Sequence, residues 1–269
     1  IYSFIIMNST DFLASEYLRH EQLYRAGLAE ISDFEFDVLR RKLIEASPDH
    51  PVFRVVESGR KLLSLGNQPV ESWLDKIPSS VELAVQPKID GVAIAIRYVD
   101  GVIAKAWTRK GEDKTRNVLE ADNIPPELPV NKTVEIRGEL YAPNIDAARS
   151  QRLAAGLLRK KAPKDVEGIS FCAFEILNAD PEIYPDEAHI RDELRAWGFH
   201  TPPTTSVSGL KEIKDLHNKW LDGRFFNTEF PSDGIVVKVV DRYQQKVMGA
   251  SSVAPNWALA VKNTWKNNY

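Results

Sequence analysis

A lysine in a bend between two alternating apolar runs is the feature that most constrains this chain. The segment Val85-Gln86-Pro87-Lys88-Ile89-Asp90-Gly91-Val92 follows one run of apolar residues at every second position and precedes another. Such alternation predicts two half-buried strands, and Pro87 and Gly91 predict a tight bend between them. We therefore expect a β-hairpin that holds Lys88 near the mouth of a core. Desolvation and nearby cations would there lower the pKa of its amine toward a nucleophilic value.

Taken alone, Lys88-x-Asp90-Gly91 is a short motif with an ordinary explanation. A lysine and an aspartate that flank a turn are more often solvated than reactive. A second hairpin is predicted directly downstream, where Asp100-Gly101 separates Val92–Val99 from Val102–Trp107. The centre of the chain is therefore predicted to be rich in β-structure.

Composition and cysteine content exclude several classes of protein. The chain has 269 residues, of which 43% are hydrophobic and 27% charged, and these values are ordinary for a globular protein. Its net charge of -3 requires any nucleic acid to bind at a local basic patch. The single cysteine, Cys172, excludes a disulfide framework and a cysteine-rich zinc module, so we expect no zinc. We find no signal peptide or membrane span, and we expect a cytoplasmic monomer without a membrane partner.

Lys88-x-Asp90-Gly91 and further motifs in matching order resemble the NAD-dependent, bacterial-type DNA ligases over roughly residues 15–265. The first motif is similar to the nucleotidyl-lysine motif of DNA ligases, RNA ligases and mRNA capping enzymes. The resemblance implies an α+β fold: a nucleotidyltransferase (ATP-grasp-like DNA ligase) domain of antiparallel sheets with flanking helices at 56–269. A small all-α domain that binds nicotinamide mononucleotide (NMN) would precede it at 8–55.

Apolar residues at helical intervals predict helices in the first 50 residues, and Ser32 with Glu35 predicts a capping box at the start of the second helix. In the family, residues of this segment bind the NMN half of NAD. The resemblance assigns that role to Tyr24, Asp33 and Asp37. The alternative is structural, because an aspartate in the first turn of a helix favours the helix dipole without any ligand.

The resemblance implies that Lys88 attacks the adenylyl phosphorus of NAD, which gives a covalent lysyl-AMP and releases NMN. Asp90 would position the nucleophile bend. Asp233-Gly234-Ile235-Val236-Val237-Lys238 and the segment from Trp257 to Lys262 resemble two further family strands, each ending in a lysine. We expect Lys238 and Lys262 to converge on the α-phosphate with Mg²⁺, because charge grows there in the transition state. The residues that bind the metal are unknown.

Further residues are expected around the nucleotide. Glu139, within Val134–Tyr141, would hold the ribose hydroxyls, although a charged residue on the solvent face of an edge strand is the ordinary explanation of that segment. Phe174 would stack on adenine, or simply belong to the core. The remaining residues that the resemblance places at NAD are Ser64, Leu65, Gln86, Arg109 and Arg224.

A predicted helix at 146–164 has a basic end, and Arg152 and Arg159 share one of its faces because they are seven residues apart. A similar family stretch binds DNA phosphates, so we expect these arginines to contact nicked double-stranded DNA, which receives the AMP in full-length relatives. A solvated basic helix end is the alternative.

Three positions depart from the family pattern: Arg25 replaces histidine, Phe36 replaces tyrosine, and Gln86 replaces a glutamate that contacts the adenine amino group. These departures leave a degenerate nucleotide- or DNA-binding domain as an alternative. An ATP-dependent nucleotidyltransferase is another, although it would lack the NMN-binding segment. The chain ends seven residues after Lys262, without the later domains of complete ligases. We therefore expect lysyl-AMP formation but poor or no sealing of nicks.

Overall fold

The computed structural model describes residues 9–25, 30–47, 62–161, 168–226 and 229–262. The helices in these ranges are α1 (Ser9–Arg25), α2 (Asp33–Ala46), α3 (Val70–Leu74), α4 (Thr115–Val118), α5 (Ala147–Arg159), α6 (Glu187–Ala196), α7 (Leu210–Leu221) and α8 (Arg242–Met248). The strands are β1 (Leu83–Ile89), β2 (Val92–Val99), β3 (Val102–Thr108), β4 (Val134–Tyr141), β5 (Ser170–Ile176), β6 (Thr205–Val207), β7 (Ser232–Val239) and β8 (Ala258–Lys262).

The strands form two four-stranded sheets in which every neighbouring pair is antiparallel. We name them sheet A, with the strand order β6-β1-β7-β8, and sheet B, with the order β3-β2-β4-β5. Helices flank both sheets, so the expected α+β class of antiparallel sheets with flanking helices is confirmed. The segment that carries Glu139 is β4, an inner strand between β2 and β5 rather than an edge strand.

The predicted hairpin at the nucleophile bend is wrong. Strands β1 and β2 lie in different sheets, and the link Asp90-Gly91 carries the chain from one sheet to the other. A Cβ on Gly91 would lie 1.9 Å from the carbonyl oxygen of Leu140 in β4, so only glycine permits this crossing. The period-2 pattern identified both strands, but it carries no information about which strands pair.

The second predicted hairpin is confirmed. Val99 of β2 pairs with Val102 of β3, and the two residues between them, Asp100 and Gly101, have φ angles of 48° and 83°. Positive φ at both central positions is what a type I′ turn requires, and its twist matches that of the flanking strands.

Each sheet has its own core. Sheet B buries Ile94, Ile96, Ile136, Leu140 and Phe171 against α5 and α6, which contribute Leu157, Ile190 and Leu194. Sheet A buries Val85, Ile235, Val237 and Leu259 against α3 and α7, which contribute Trp73 and Ile213. Each sheet has a second face that does not belong to its core, and these two faces can line a binding site between the sheets.

Helices α1 and α2 pack on each other and on the β3 side of sheet B. Ser32 caps α2 in the predicted capping box with Glu35. The ring of Phe36 stacks on that of Tyr17 at 5.3 Å, and Tyr17 lies in a small core with Ala104 of β3. The break after α2 at residues 48–51 lies outside the described residues, and the boundary between domains at residues 55 and 56 stays a prediction. None of the helices in the described ranges is long and apolar enough to cross a membrane.

Candidate active site

A cleft of about 380 Å³ lies between the two sheets. This size suits a small-molecule ligand. Nine of the residues expected from the sequence line it: Ser64, Leu65, Gln86, Lys88, Arg109, Glu139, Phe174, Lys238 and Lys262. Strands β7 and β8 form the floor of the cleft. Their pairing places the small side chains of Val236, Ala258 and Ala260 on the same face as Lys238 and Lys262.

One aspartate joins two lysines at one end of the cleft. Lys88 Nζ lies 2.7 Å from Asp233 Oδ1, and Lys262 Nζ lies 2.7 Å from Asp233 Oδ2. Burial raises the pKa of Asp233, but hydrogen bonds from Lys262 and Lys88 outweigh burial and leave that pKa below its ordinary value. Asp233 therefore stays ionised between two ammonium groups. The sequence motif contained this residue, but no role had been assigned to it.

Two more carboxylates lie near Lys88. Burial raises the pKa of Asp90, and the charge of Asp233 raises it further. The amide of Gln151 in α5 donates to Asp90 Oδ1 at 3.2 Å, a contact that sequence reasoning missed although the neighbouring arginine had been singled out. Burial also raises the pKa of Glu139 to about 7 against the opposing charges of Lys88 and Arg137. This end of the cleft therefore holds lysines and acids whose charges depend on one another.

Lys238 lies at the opposite end of the cleft, in a buried ion pair with Glu187. The pairing of β7 with β8 places Gly234 beside Lys262, whereas Lys238 is four residues further along β7. Four strand residues span about 13 Å. The two amines are therefore held apart, and the expectation that they converge on one phosphate is corrected for Lys238. Periodicity had placed both lysines on the same face but not at the same end.

The segment 63–65 forms a side wall of the cleft and is tied by two arginines to the side of sheet B. Arg109 Nη1 donates to Ser64 Oγ at 2.6 Å, and Arg137 Nη2 donates to the Leu63 carbonyl oxygen at 2.6 Å. The Arg137 guanidinium also pairs with Glu175 at 3.2 Å and lies 5.6 Å from the centre of the Phe174 ring. Arg137, which sequence reasoning quoted only as part of a motif, thus connects the wall to sheet B.

Several expected residues are not in the cleft. Arg224 is paired with Asp222 and exposed, because its backbone N–H bonds to Lys219 and completes the turn that ends α7. It does not line the cleft, and its expected place at the nucleotide stays a prediction. Arg152 and Arg159 are both exposed on α5.

The proposed NMN-binding residues cannot be located by their side chains. Tyr24 lies in α1, and Asp33 and Asp37 lie in α2, but the placement of these three side chains is outside the described residues. Among the residues that the structure does describe, no group of three or more histidine, cysteine, aspartate or glutamate side chains is arranged to hold a metal ion.

Comparison with known proteins gives the family. Residues 52–266 match the family model of the NAD-dependent DNA ligase adenylation domain. The chain belongs to this family. Among curated proteins, the DNA ligase of Corynebacterium aurimucosum is 33% identical over 299 residues, a match that covers 93% of this chain and 44% of that protein. The DNA ligase of Endomicrobium trichonymphae is 27% identical, with 96% of this chain and 46% of that protein covered.

The chain therefore spans less than half the length of these curated relatives. Among solved structures, the ATP-dependent DNA ligase from bacteriophage T7, in complex with ATP, is similar with a TM-score of 0.40 and 15% sequence identity. That match covers 67% of this chain and 64% of the T7 chain.

Proposed function

We propose that this NAD-dependent ligase adenylation domain transfers AMP from NAD to Lys88. The Lys88 ammonium first loses one proton to solvent. The neutral amine then attacks the adenylyl phosphorus, a P–N bond forms, and the P–O bond to the NMN phosphate breaks. NMN leaves with the electron pair of that bond, and the amine loses a proton. The product is a lysyl-AMP phosphoramidate.

The observation that carries this proposal is that Asp233 pairs with both Lys88 and Lys262, two lysines that line a cleft of ligand size. Asp233 orients the Lys88 amine and is the nearest carboxylate that can take part in its loss of a proton. The Lys262 side chain is 43% exposed, so it can turn from Asp233 toward a phosphate that enters the cleft. It would then stabilise the charge that grows on the phosphate oxygens.

The rest of the cleft fits the adenosine half of NAD. Glu139 lines the cleft near Lys88, where its carboxylate can accept hydrogen bonds from ribose hydroxyls. Phe174 and the wall at Ser64-Leu65 supply apolar surface for the base. Because Lys238 is held at the far end from Lys88, its amine is placed to meet the base rather than the reacting phosphate.

We further propose that Tyr24, Asp33 and Asp37 hold the NMN half, as in the family. Mg²⁺ is proposed to bind through phosphate oxygens and water, with at most one or two carboxylates of the cleft, which is the usual coordination of this ion at phosphate sites. The Lys88–Asp233–Lys262 arrangement already supplies positive charge at the same end.

The proposed acceptor of AMP is the 5′-phosphate of nicked double-stranded DNA. Arg152 and Arg159 are exposed on one face of α5, and α5 also contacts the reacting end of the cleft through Gln151. DNA phosphates bound to these arginines would thus lie beside the lysyl-AMP.

Intact mass spectrometry tests the proposal after the protein has been freed of AMP by incubation with NMN. With Mg²⁺ and NAD, the expected result is a mass gain of one AMP, about 329 Da. Lys88→Arg should show no gain, whereas Lys246→Arg, which changes an exposed lysine outside the cleft, should match the unaltered protein. A gain with ATP but not with NAD, or no gain with either, would overturn the proposal.

A further inference from the structure

A buried carboxylate closes the end of the cleft that lies away from Lys88. Glu187 is 6% exposed and lines the cleft together with Gln86, Phe174 and Lys238. It is the first residue of α6, whose N-cap is Asp186. A negatively charged side chain at the N-terminus of a helix interacts favourably with the helix dipole.

Glu187 is fixed by three neighbours. Its Oε2 accepts a hydrogen bond from Lys238 Nζ, and its Oε1 accepts one from Gln245 Nε2 at 2.7 Å. Arg242 Nη1 lies 3.7 Å from Oε1. Gln245 also donates to the backbone carbonyl of Val239 at 2.7 Å, so strand β7 and helices α6 and α8 all meet at this carboxylate.

Stability alone does not account for the Lys238–Glu187 pair. The desolvation of two buried charges offsets much of their attraction, so a buried ion pair contributes little net stability over well-packed apolar residues. This pair also faces the cleft rather than a closed core. A ligand at this end therefore meets an ammonium and a carboxylate held in one geometry.

Both groups retain capacity for a ligand. An ammonium has three N–H donors, and Lys238 uses one of them on Glu187. A carboxylate has about four acceptor positions. The contacts of Glu187 with Lys238, Gln245 and Arg242 leave one acceptor position on Oε2, beside the Lys238 amine. The pair thus offers a donor and an acceptor next to each other at the wall where Gln86 and Phe174 also lie.

We propose that Glu187 is a specificity-determining residue that makes the cleft select a 6-aminopurine over a 6-oxopurine. Adenine presents a ring-nitrogen acceptor, N1, beside an exocyclic amine donor. Lys238 donates to N1, and Glu187 accepts from the amine. Hypoxanthine presents an N1–H donor and an O6 acceptor instead. Its N1–H donor would therefore face the ammonium of Lys238, and its O6 acceptor would face the carboxylate of Glu187. Sliding the base by one atom to avoid this mismatch would move the attached phosphate away from Lys88.

This inference rests on the proposed function, and its test separates the two. The rate of lysyl-nucleotide formation is measured with NAD, which gives lysyl-AMP, and with nicotinamide hypoxanthine dinucleotide, in which O6 replaces the amine and which gives lysyl-IMP. An unsatisfied buried charged group costs enough to predict a preference of about 100-fold in kcat/KM for NAD. A wild-type protein that forms lysyl-AMP from NAD and lysyl-IMP from the hypoxanthine dinucleotide equally fast would overturn the inference and leave the proposed function intact. No lysyl-AMP from NAD would instead defeat the proposed function.

Glu187→Gln is the decisive variant, because a carboxamide keeps the size and can turn its NH₂ group toward O6. The expected result is a fall in the preference to about tenfold or less, with the rate for NAD reduced and the rate for the hypoxanthine dinucleotide unchanged or raised. A merely structural role would lower both rates in proportion and preserve the preference, which would refute the inference. Asp192→Asn, which removes an exposed carboxylate from the same helix, should change neither rate.

Discussion

Replacing Glu139 with glutamine should make the ligand-free protein more stable at alkaline pH. Burial raises the pKa of Glu139 from 4.5 to about 7. Between these two values the folded protein binds the proton more tightly than the unfolded chain does. The free energy of unfolding therefore decreases as pH rises from 4.5 through 7, and the cost of the buried charge is complete above that range.

The magnitude follows from the size of the shift. Full ionisation costs up to about 3.4 kcal/mol, since each pKa unit corresponds to about 1.4 kcal/mol. About 2 kcal/mol of this develops between pH 5.5 and pH 8. Glu139 is only partly buried, and water in the cleft screens its charge, so we expect a change of about 1–2 kcal/mol. For a chain of this length that corresponds to roughly 2–6 °C in Tm.

The assay is thermal unfolding of AMP-free protein at pH 5.5 and pH 8. The difference in Tm between Glu139→Gln and the unaltered protein should grow by this amount at the higher pH. Glu127→Gln, which removes an exposed carboxylate, controls for the loss of one charge and should show no such growth. A constant difference at the two pH values would refute the reasoning that the cleft penalises the Glu139 carboxylate.

Three further predictions concern the cleft and the link between the sheets. Asp233→Asn should slow lysyl-AMP formation at saturating NAD by about 100-fold, because Lys88 and Lys262 lose their shared counter-ion. Arg137→Met should raise KM for NAD by about tenfold with a smaller effect on kcat, because the cleft wall loses a charge-assisted hydrogen bond. Gly91→Ala should destabilise the protein by about 2–3 kcal/mol in urea unfolding, because its Cβ would overlap a backbone carbonyl.

A glycine in an open position serves as the control for Gly91→Ala. Gly156→Ala lies in α5, where a Cβ meets nothing within 4 Å, and should stabilise the protein slightly. Equal effects at Gly91 and Gly156 would contradict the account of the crossing. An unchanged rate in Asp233→Asn would remove Asp233 from the mechanism. A fall in kcat without a change in KM in Arg137→Met would show that the wall does not act through binding.

The secondary-structure elements, and the residues that share one face of each element, were predicted well from the sequence, because both depend on local periodicity. The capping box at Ser32, the turn at Asp100-Gly101 and the inward lysines all follow from nearest neighbours along the chain. Strand pairing depends instead on contacts between residues distant in sequence. Thus β1 and β2 were assigned to one hairpin, although they do not pair with each other: β1 pairs with β6 and β7, and β2 pairs with β3 and β4.

The same limit applies to the site. Lys238 and Lys262 end similar motifs, yet the register of β7 with β8 separates them along the cleft. Glu187 lies in a helix with no visible motif, and only the approach of α6 to β7 brings it to Lys238. Arg224 fitted a family spacing, but the turn after α7 takes it to the surface. Spacing along the chain could not reveal these three placements.

Peptide mapping determines whether Lys88 is the residue that carries AMP. The protein is incubated with Mg²⁺ and NAD, digested under alkaline conditions that preserve a phosphoramidate, and analysed by tandem mass spectrometry. We expect one added AMP, on the peptide that contains Lys88 and on that lysine. AMP on Lys238, Lys262 or a residue outside the cleft, with Lys88 unmodified, would contradict this expectation.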